Sequence, residues 1–87
     1  MKILYFKLKN CPYCIQADTW LTELRAENPD YASVELEIID ESEQPDLADS
    51  YDYYYVPTFF LGREKLHEGA ATKAKIKAVL DFAVSAG

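Results

Sequence analysis

Two cysteines, Cys11 and Cys14, stand three residues apart with Pro12 and Tyr13 between them. That spacing serves two chemistries. A close dithiol exchanges with a disulfide: one thiolate attacks, and the neighbouring thiol breaks the mixed disulfide that forms. The same spacing also occurs in thiolate sites that hold zinc. A single pair is too few for a small secreted scaffold stapled by disulfides, which normally carries more. The secondary structure that holds the two sulfurs decides between the chemistries.

Residues 2–8 contain the apolar run Ile3-Leu4-Tyr5-Phe6, the pattern of a strand buried on both faces. From Pro12 to Ala26, the residues Ala17, Trp20, Leu21 and Leu24 recur at helical spacing, which predicts a helix with these side chains in the core. Asn28-Pro29-Asp30 ends that helix, because proline disfavours helical geometry in the residue before it. Val34 to Ile38 alternates apolar and acidic residues, as a strand does with one face buried and the other wet. Pro45 starts a short helix reaching Tyr51. Thr58-Phe59-Phe60-Leu61 reads as a buried strand, Gly62-Arg63-Glu64 as a turn, and Lys65 to Glu68 as a return strand. Ile76, Val79, Leu80 and Ala83 make the apolar stripe of a last helix. The predicted order is β-α-β-α-β-β-α, an α/β fold with a four-stranded mixed sheet packed by helices, spanning residues 1–87 as one domain.

Cys11 and Cys14 therefore lie where the first strand hands over to the first helix. Unpaired backbone N–H groups and the helix dipole favour an anion at such a terminus, and Pro12 suits the first helical position because its missing N–H would have had no partner. The anion here is a thiolate, the nucleophile of disulfide exchange. The dipole contributes about 0.3–1 kcal/mol, so local N–H hydrogen bonds and the nearby Lys7 or Lys9 must supply any further stabilisation. Cys14, one turn deeper on the same face, has the geometry of a resolving thiol.

With the pair on this junction, the chain resembles the thioredoxin-fold superfamily, and Cys11-Pro12-Tyr13-Cys14 is similar to the motif of glutaredoxins. Val56-Pro57-Thr58, just before the third strand, resembles the proline loop of the superfamily. The resemblance implies a thioredoxin fold and a cis Val56–Pro57 bond packed beside the cysteines. It implies a catalytic pair, Cys11 and Cys14, and a substrate groove along Lys9, Pro12, Tyr13, Tyr55, Val56, Pro57 and Gly69. It also implies reduction of protein or glutathione mixed disulfides by a monomer that needs no metal or organic cofactor. A reductase would supply electrons, or glutathione would serve as co-substrate. The alternative is a glutaredoxin-like module holding a metal ion or an iron–sulfur cluster. The chain mixes features of two subfamilies. Where glutaredoxins place a Gly-Gly pair and an Asp that grips glutathione, it has Glu68-Gly69-Ala70-Ala71-Thr72, and the Trp that thioredoxins place before the first cysteine is Asn10.

Charge narrows the partners. Of the fifteen acidic residues, ten lie from Glu27 to Asp52, and the net charge is −6. No dominant basic face exists for nucleic acid; the acidic stretch reads as a solvated surface. The opening apolar run is far short of a membrane span and no small-residue cleavage pattern follows it, so the expected location is the cytoplasm. Tyr53-Tyr54-Tyr55 reads equally as an aromatic rim for a peptide substrate or as tyrosines half-buried with wet hydroxyls. His67 reads as a surface or partly packed histidine, and Lys73, Lys75 and Lys77 as the wet face of the last helix.

Overall fold

The apolar run at the N-terminus becomes the second strand of the sheet from one edge, covered on both faces as its composition requires. The computed structural model describes residues 2–86. Strand β1 is Lys2–Lys7, β2 Glu35–Asp40, β3 Thr58–Leu61 and β4 Glu64–Glu68. They lie in the order β2-β1-β3-β4, with β1 parallel to β2 and antiparallel to β3, and β3 antiparallel to β4. Helices α1 (Pro12–Glu27), α2 (Pro29–Ala32), α3 (Pro45–Asp49) and α4 (Lys73–Ala86) complete the chain. Among the described residues the sheet is four-stranded and mixed, as the sequence predicts.

Alternating side chains of β1 feed two separate cores. Ile3 and Tyr5 join Ala17, Leu21 and Leu24 of α1, Phe59 of β3, and Ile76 and Leu80 of α4. Phe6 points to the opposite face, with Ile39, Phe60 and Ala48, and Tyr51 and Tyr53 close over it. The rings of Tyr5 and Phe59 stack at 4.6 Å, while Phe6 and Phe60 meet edge-on at 5.7 Å. Side chains of this size contribute roughly 1.5–3 kcal/mol each when fully buried, and they fix the register of the central strands.

The structure departs from the sequence reading in five places, one being that Glu64, expected in the turn, already opens β4. After Asn28 the chain turns once more, as α2, with the Asn28 side chain accepting the Asp30 N–H at 2.9 Å; Pro29 stops one helix and occupies the first turn of the next. Strand β2 begins at Glu35 and runs on to Asp40. Within it the expected alternation fails, since Ile38 is 57% exposed and Ile39 is fully buried. On this edge strand Leu36 packs against the core shared with α1 and α4, Ile38 lines an open groove beside α1, and Ile39 packs on the opposite face with Ala48 of α3. The predicted helix to Tyr51 stops at Asp49, with Ser50 as its cap. Trp20, expected in the core, is half-buried against its margin.

Candidate active site

The first strand ends at Lys7, and the chain must reverse within a few residues to start α1. Asn10 makes the reversal with φ 62°, a left-handed conformation that Asn tolerates better than most residues. Cys11 follows with extended backbone (φ −88°, ψ 115°) as the N-cap of α1, and Pro12 takes the first helical position. The Cys11 Sγ accepts the Cys14 N–H at 3.3 Å, in the place where a cap usually offers oxygen, and the Cys11 carbonyl accepts the Ile15 N–H at 2.9 Å. Cys11 is partly exposed and Cys14 fully buried; both are free thiols.

Burial first, and then the hydrogen bond with Cys11, push the Cys14 thiol up to about 12, while the Leu8 backbone and the Lys7 charge act the other way. The two sulfurs are thus unlike. One caps the helix start, partly exposed and accepting the Cys14 N–H, and the other is enclosed and held as a thiol.

A second junction lies at the same end of the sheet, because β1 and β3 run antiparallel with Phe6 opposite Thr58. The Val56–Pro57 peptide bond is cis, as the resemblance implies, and Pro57 is buried. The Pro57 carbonyl accepts the Gly69 N–H at 2.8 Å. Gly69 adopts φ 87°, which suits glycine, and a Cβ there would lie 3.6 Å from the Tyr55 Cβ. Glu68 orders the preceding loop: its carboxylate accepts the Tyr54 N–H at 2.5 Å, the Tyr55 N–H at 3.0 Å and the Lys65 ammonium at 2.6 Å. Lys65 first, then the two N–H groups, lower its pKa to about 2 from 4.5. A depressed carboxyl pKa stabilises the fold above 4.5, and that contribution fades as pH falls through about 2. The Tyr54 and Tyr55 amide resonances are therefore expected to titrate together in that acid range, and the Glu68→Gln variant to show no such titration.

The sequence-predicted site residues land differently from one another. Pro12 and Tyr13 are exposed beside Cys11, with Tyr13 54% accessible. The tyrosine run divides: Tyr53 lies half-buried over Phe6 and donates its hydroxyl to Glu41 at 2.8 Å, whereas Tyr54 and Tyr55 are 85% and 70% exposed. Lys9 is exposed but paired with Glu43 at 2.9 Å. Lys7 turns away from the surface to meet Asp18 at 2.6 Å. His67 is partly buried, its Nε2 within 2.9 Å of the Gly69 carbonyl, so that nitrogen carries the proton and donates. The lysine cluster of α4 is more than a wet face, since Lys73 ties that helix to Glu23 and Glu27 of α1 and Lys77 pairs with Asp81. Among the described residues no three His, Cys, Asp or Glu side chains gather as a metal centre would need. Sequence reasoning missed Glu68, which no local pattern marks, and Asp18. Asp18 follows Cys14 by four residues, a spacing that places both on one helical face.

Comparison with solved structures shows the same architecture elsewhere. The chain is similar to a structure described as that of a malarial protein, with a TM-score of 0.70, 19% identity and 93% of each chain covered. It is also similar to thioredoxin 1 of the thermophilic eubacterium Thermosipho africanus, with a TM-score of 0.57 and 22% identity over 94% of this chain and 97% of that one. The fold is thioredoxin-like. The likeness is one of fold alone, and function has to be argued from the site. No protein-family profile matches the chain, and neither does any curated protein. Among the described residues no helix is long and apolar enough to cross a membrane.

Proposed function

We propose that this protein is a dithiol–disulfide oxidoreductase in which Cys11 is the nucleophile and Cys14 the resolving thiol. The observation that carries this reading is the asymmetry of the pair. The Cys11 sulfur caps α1 and is partly exposed, while Cys14 lies one turn inside, fully buried, with its N–H on that sulfur. The Cys11 thiolate attacks a substrate disulfide, forming a mixed disulfide and releasing one substrate thiolate. Cys14 then attacks the Cys11 sulfur, the Cys11–Cys14 disulfide forms, and the second substrate thiolate leaves. The chemistry needs no organic or metal cofactor.

Substrates of this reading are disulfide-bearing proteins or glutathione mixed disulfides, and a thiol donor or a reductase returns the pair to the dithiol. Pro12 and Tyr13 flank Cys11 at the helix junction, and Tyr55, Pro57 and Gly69 form the proline junction at the same end of the sheet. Among the described residues no hydrogen bond takes up the Val56 N–H or carbonyl, which suits a backbone that pairs with an extended substrate. Lys9 reaches an anionic substrate only by leaving Glu43, an exposed pair that solvent screens.

The Cys14→Ser variant tests the assignment of roles. It is expected to accumulate a stable mixed disulfide on Cys11, visible as added mass removed by dithiothreitol. An adduct-free variant after exposure to a disulfide substrate overturns the proposal.

A further inference from the structure

The resolving sulfur is buried and held as a thiol, yet it has to ionise while the mixed disulfide stands. A polar corner lies directly behind it. The buried Tyr5 hydroxyl is 2.8 Å from Asp18 Oδ1 and 3.2 Å from the Cys14 carbonyl. With one proton to give, it donates to the carboxylate, and the carbonyl is a close neighbour. The other carboxylate oxygen, Oδ2, accepts the Lys7 ammonium at 2.6 Å, and that ammonium also lies 5.7 Å from the centre of the Tyr5 ring. Two contacts thus fix a cation on the Cys14 side of β1, at a side-chain exposure of 21%. A groove of about 700 Å3, lined by Tyr5, Lys7, Asp18, Leu21, Arg25 and Ile38, opens this corner to water.

We propose that Lys7, positioned by Asp18 and Tyr5, is the counter-charge that supports Cys14 as it becomes a thiolate. This inference rests on the oxidoreductase reading. In the step concerned, the Cys14 S–H bond breaks and the proton passes to water. The sulfur's electron pair forms the bond to Cys11, and the old Cys11–substrate bond leaves as a substrate thiolate. No further oxidant is needed, because the substrate disulfide is the electron acceptor. The Lys7 charge acts on Cys14 in favour of the thiolate, more weakly than burial and the Cys11 hydrogen bond act against it. The other charged or titratable groups near the corner are Cys11, Arg25 and, from β2, Asp40, the register partner of Lys7. Asp40 turns Oδ1 to the Ser42 N–H and hydroxyl and leaves Oδ2 buried without a partner, while the Lys7 ammonium pairs with Asp18.

An uncharged dipyridyl disulfide reads both steps in one trace, since the attack by Cys11 releases the first pyridinethione and resolution by Cys14 the second. The Lys7→Gln variant is expected to keep the first phase within about twofold of wild type. Its second phase is expected to slow by about 3- to 10-fold, with the pH dependence of that phase displaced upward. Lys7→Arg should restore both, because only the charge is required, and the intact first phase certifies the fold. A second phase unchanged in Lys7→Gln overturns the inference, as does a slowing confined to the first phase, which would assign Lys7 to Cys11. Wild-type protein that releases no pyridinethione in either phase overturns the oxidoreductase reading itself, and the inference with it.

Discussion

Replacing Cys11 with serine is expected to lower disulfide-reducing turnover by at least about a thousandfold, measured as insulin reduction with a chemical thiol as donor. A serine hydroxyl does not exchange with disulfides, so any remaining rate must pass through Cys14. That sulfur is fully buried, and a thiol pushed up to about 12 is held almost wholly protonated at neutral pH. The variant also removes the hydrogen bond from Cys11, the second contribution to the raised value. Burial, the largest contribution, remains. Higher basicity makes each thiolate a better nucleophile, but the gain per pKa unit is less than half of the population lost. Turnover within tenfold of wild type would place the nucleophile outside this pair. Unchanged circular dichroism and melting temperature should accompany the loss, because Cys11 is at the surface and serine is itself a good N-cap.

The element order and the placement of the cysteines were legible in the sequence because each rests on a local pattern. Ile3-Leu4-Tyr5-Phe6 is apolar on both alternations, and the structure buries it from both sides. Cys11-Pro12 combines a side chain able to cap with a residue that needs no N–H partner, and α1 starts there. The C-terminal stripe of Ile76, Val79, Leu80 and Ala83 is buried in full. What escaped the sequence reading depends on distances across the fold. Ile38 continues an alternating pattern, yet on the edge strand it faces an open groove beside α1 and stays 57% exposed. Tyr53 and Tyr54 are the same residue type, and only the neighbouring Phe6 and Glu41 separate a packed ring from an exposed one. Lys7 looked like a charge for Cys11 because it precedes it closely. Its alternation along β1 instead sends it to the α1 face with Tyr5, where Asp18 receives it. Glu68 lies thirteen and fourteen residues from the N–H groups it accepts, a pairing that only the hairpin and the cis-proline loop bring about.

The second large effect expected is on stability, from Phe59→Ala. Phe59 sits on the central strand pair, opposite Tyr5 across β1 and His67 across β4, and is fully buried. Its ring stacks on Tyr5 at an interplanar angle of 14°. Truncating such a residue costs about 3–5 kcal/mol from lost transfer energy and the cavity left behind. A domain of 87 residues has a total stability of only about 4–13 kcal/mol. The midpoint of thermal unfolding should therefore fall by roughly 12–30 °C. By contrast, Phe82→Ala on the outer face of α4, where the ring is 42% exposed, should change stability by about 0.5 kcal/mol or less. The consequence reaches the site through one ring. Phe59 holds the Tyr5 ring in place, and the Tyr5 hydroxyl orients Asp18 behind Cys14. Below its lowered melting point, the variant should therefore still attack a disulfide through Cys11, which depends on the helix start, while resolution by Cys14 slows. Equal slowing of both steps, or of neither, would mean that the aromatic stack supports the fold without positioning the pair.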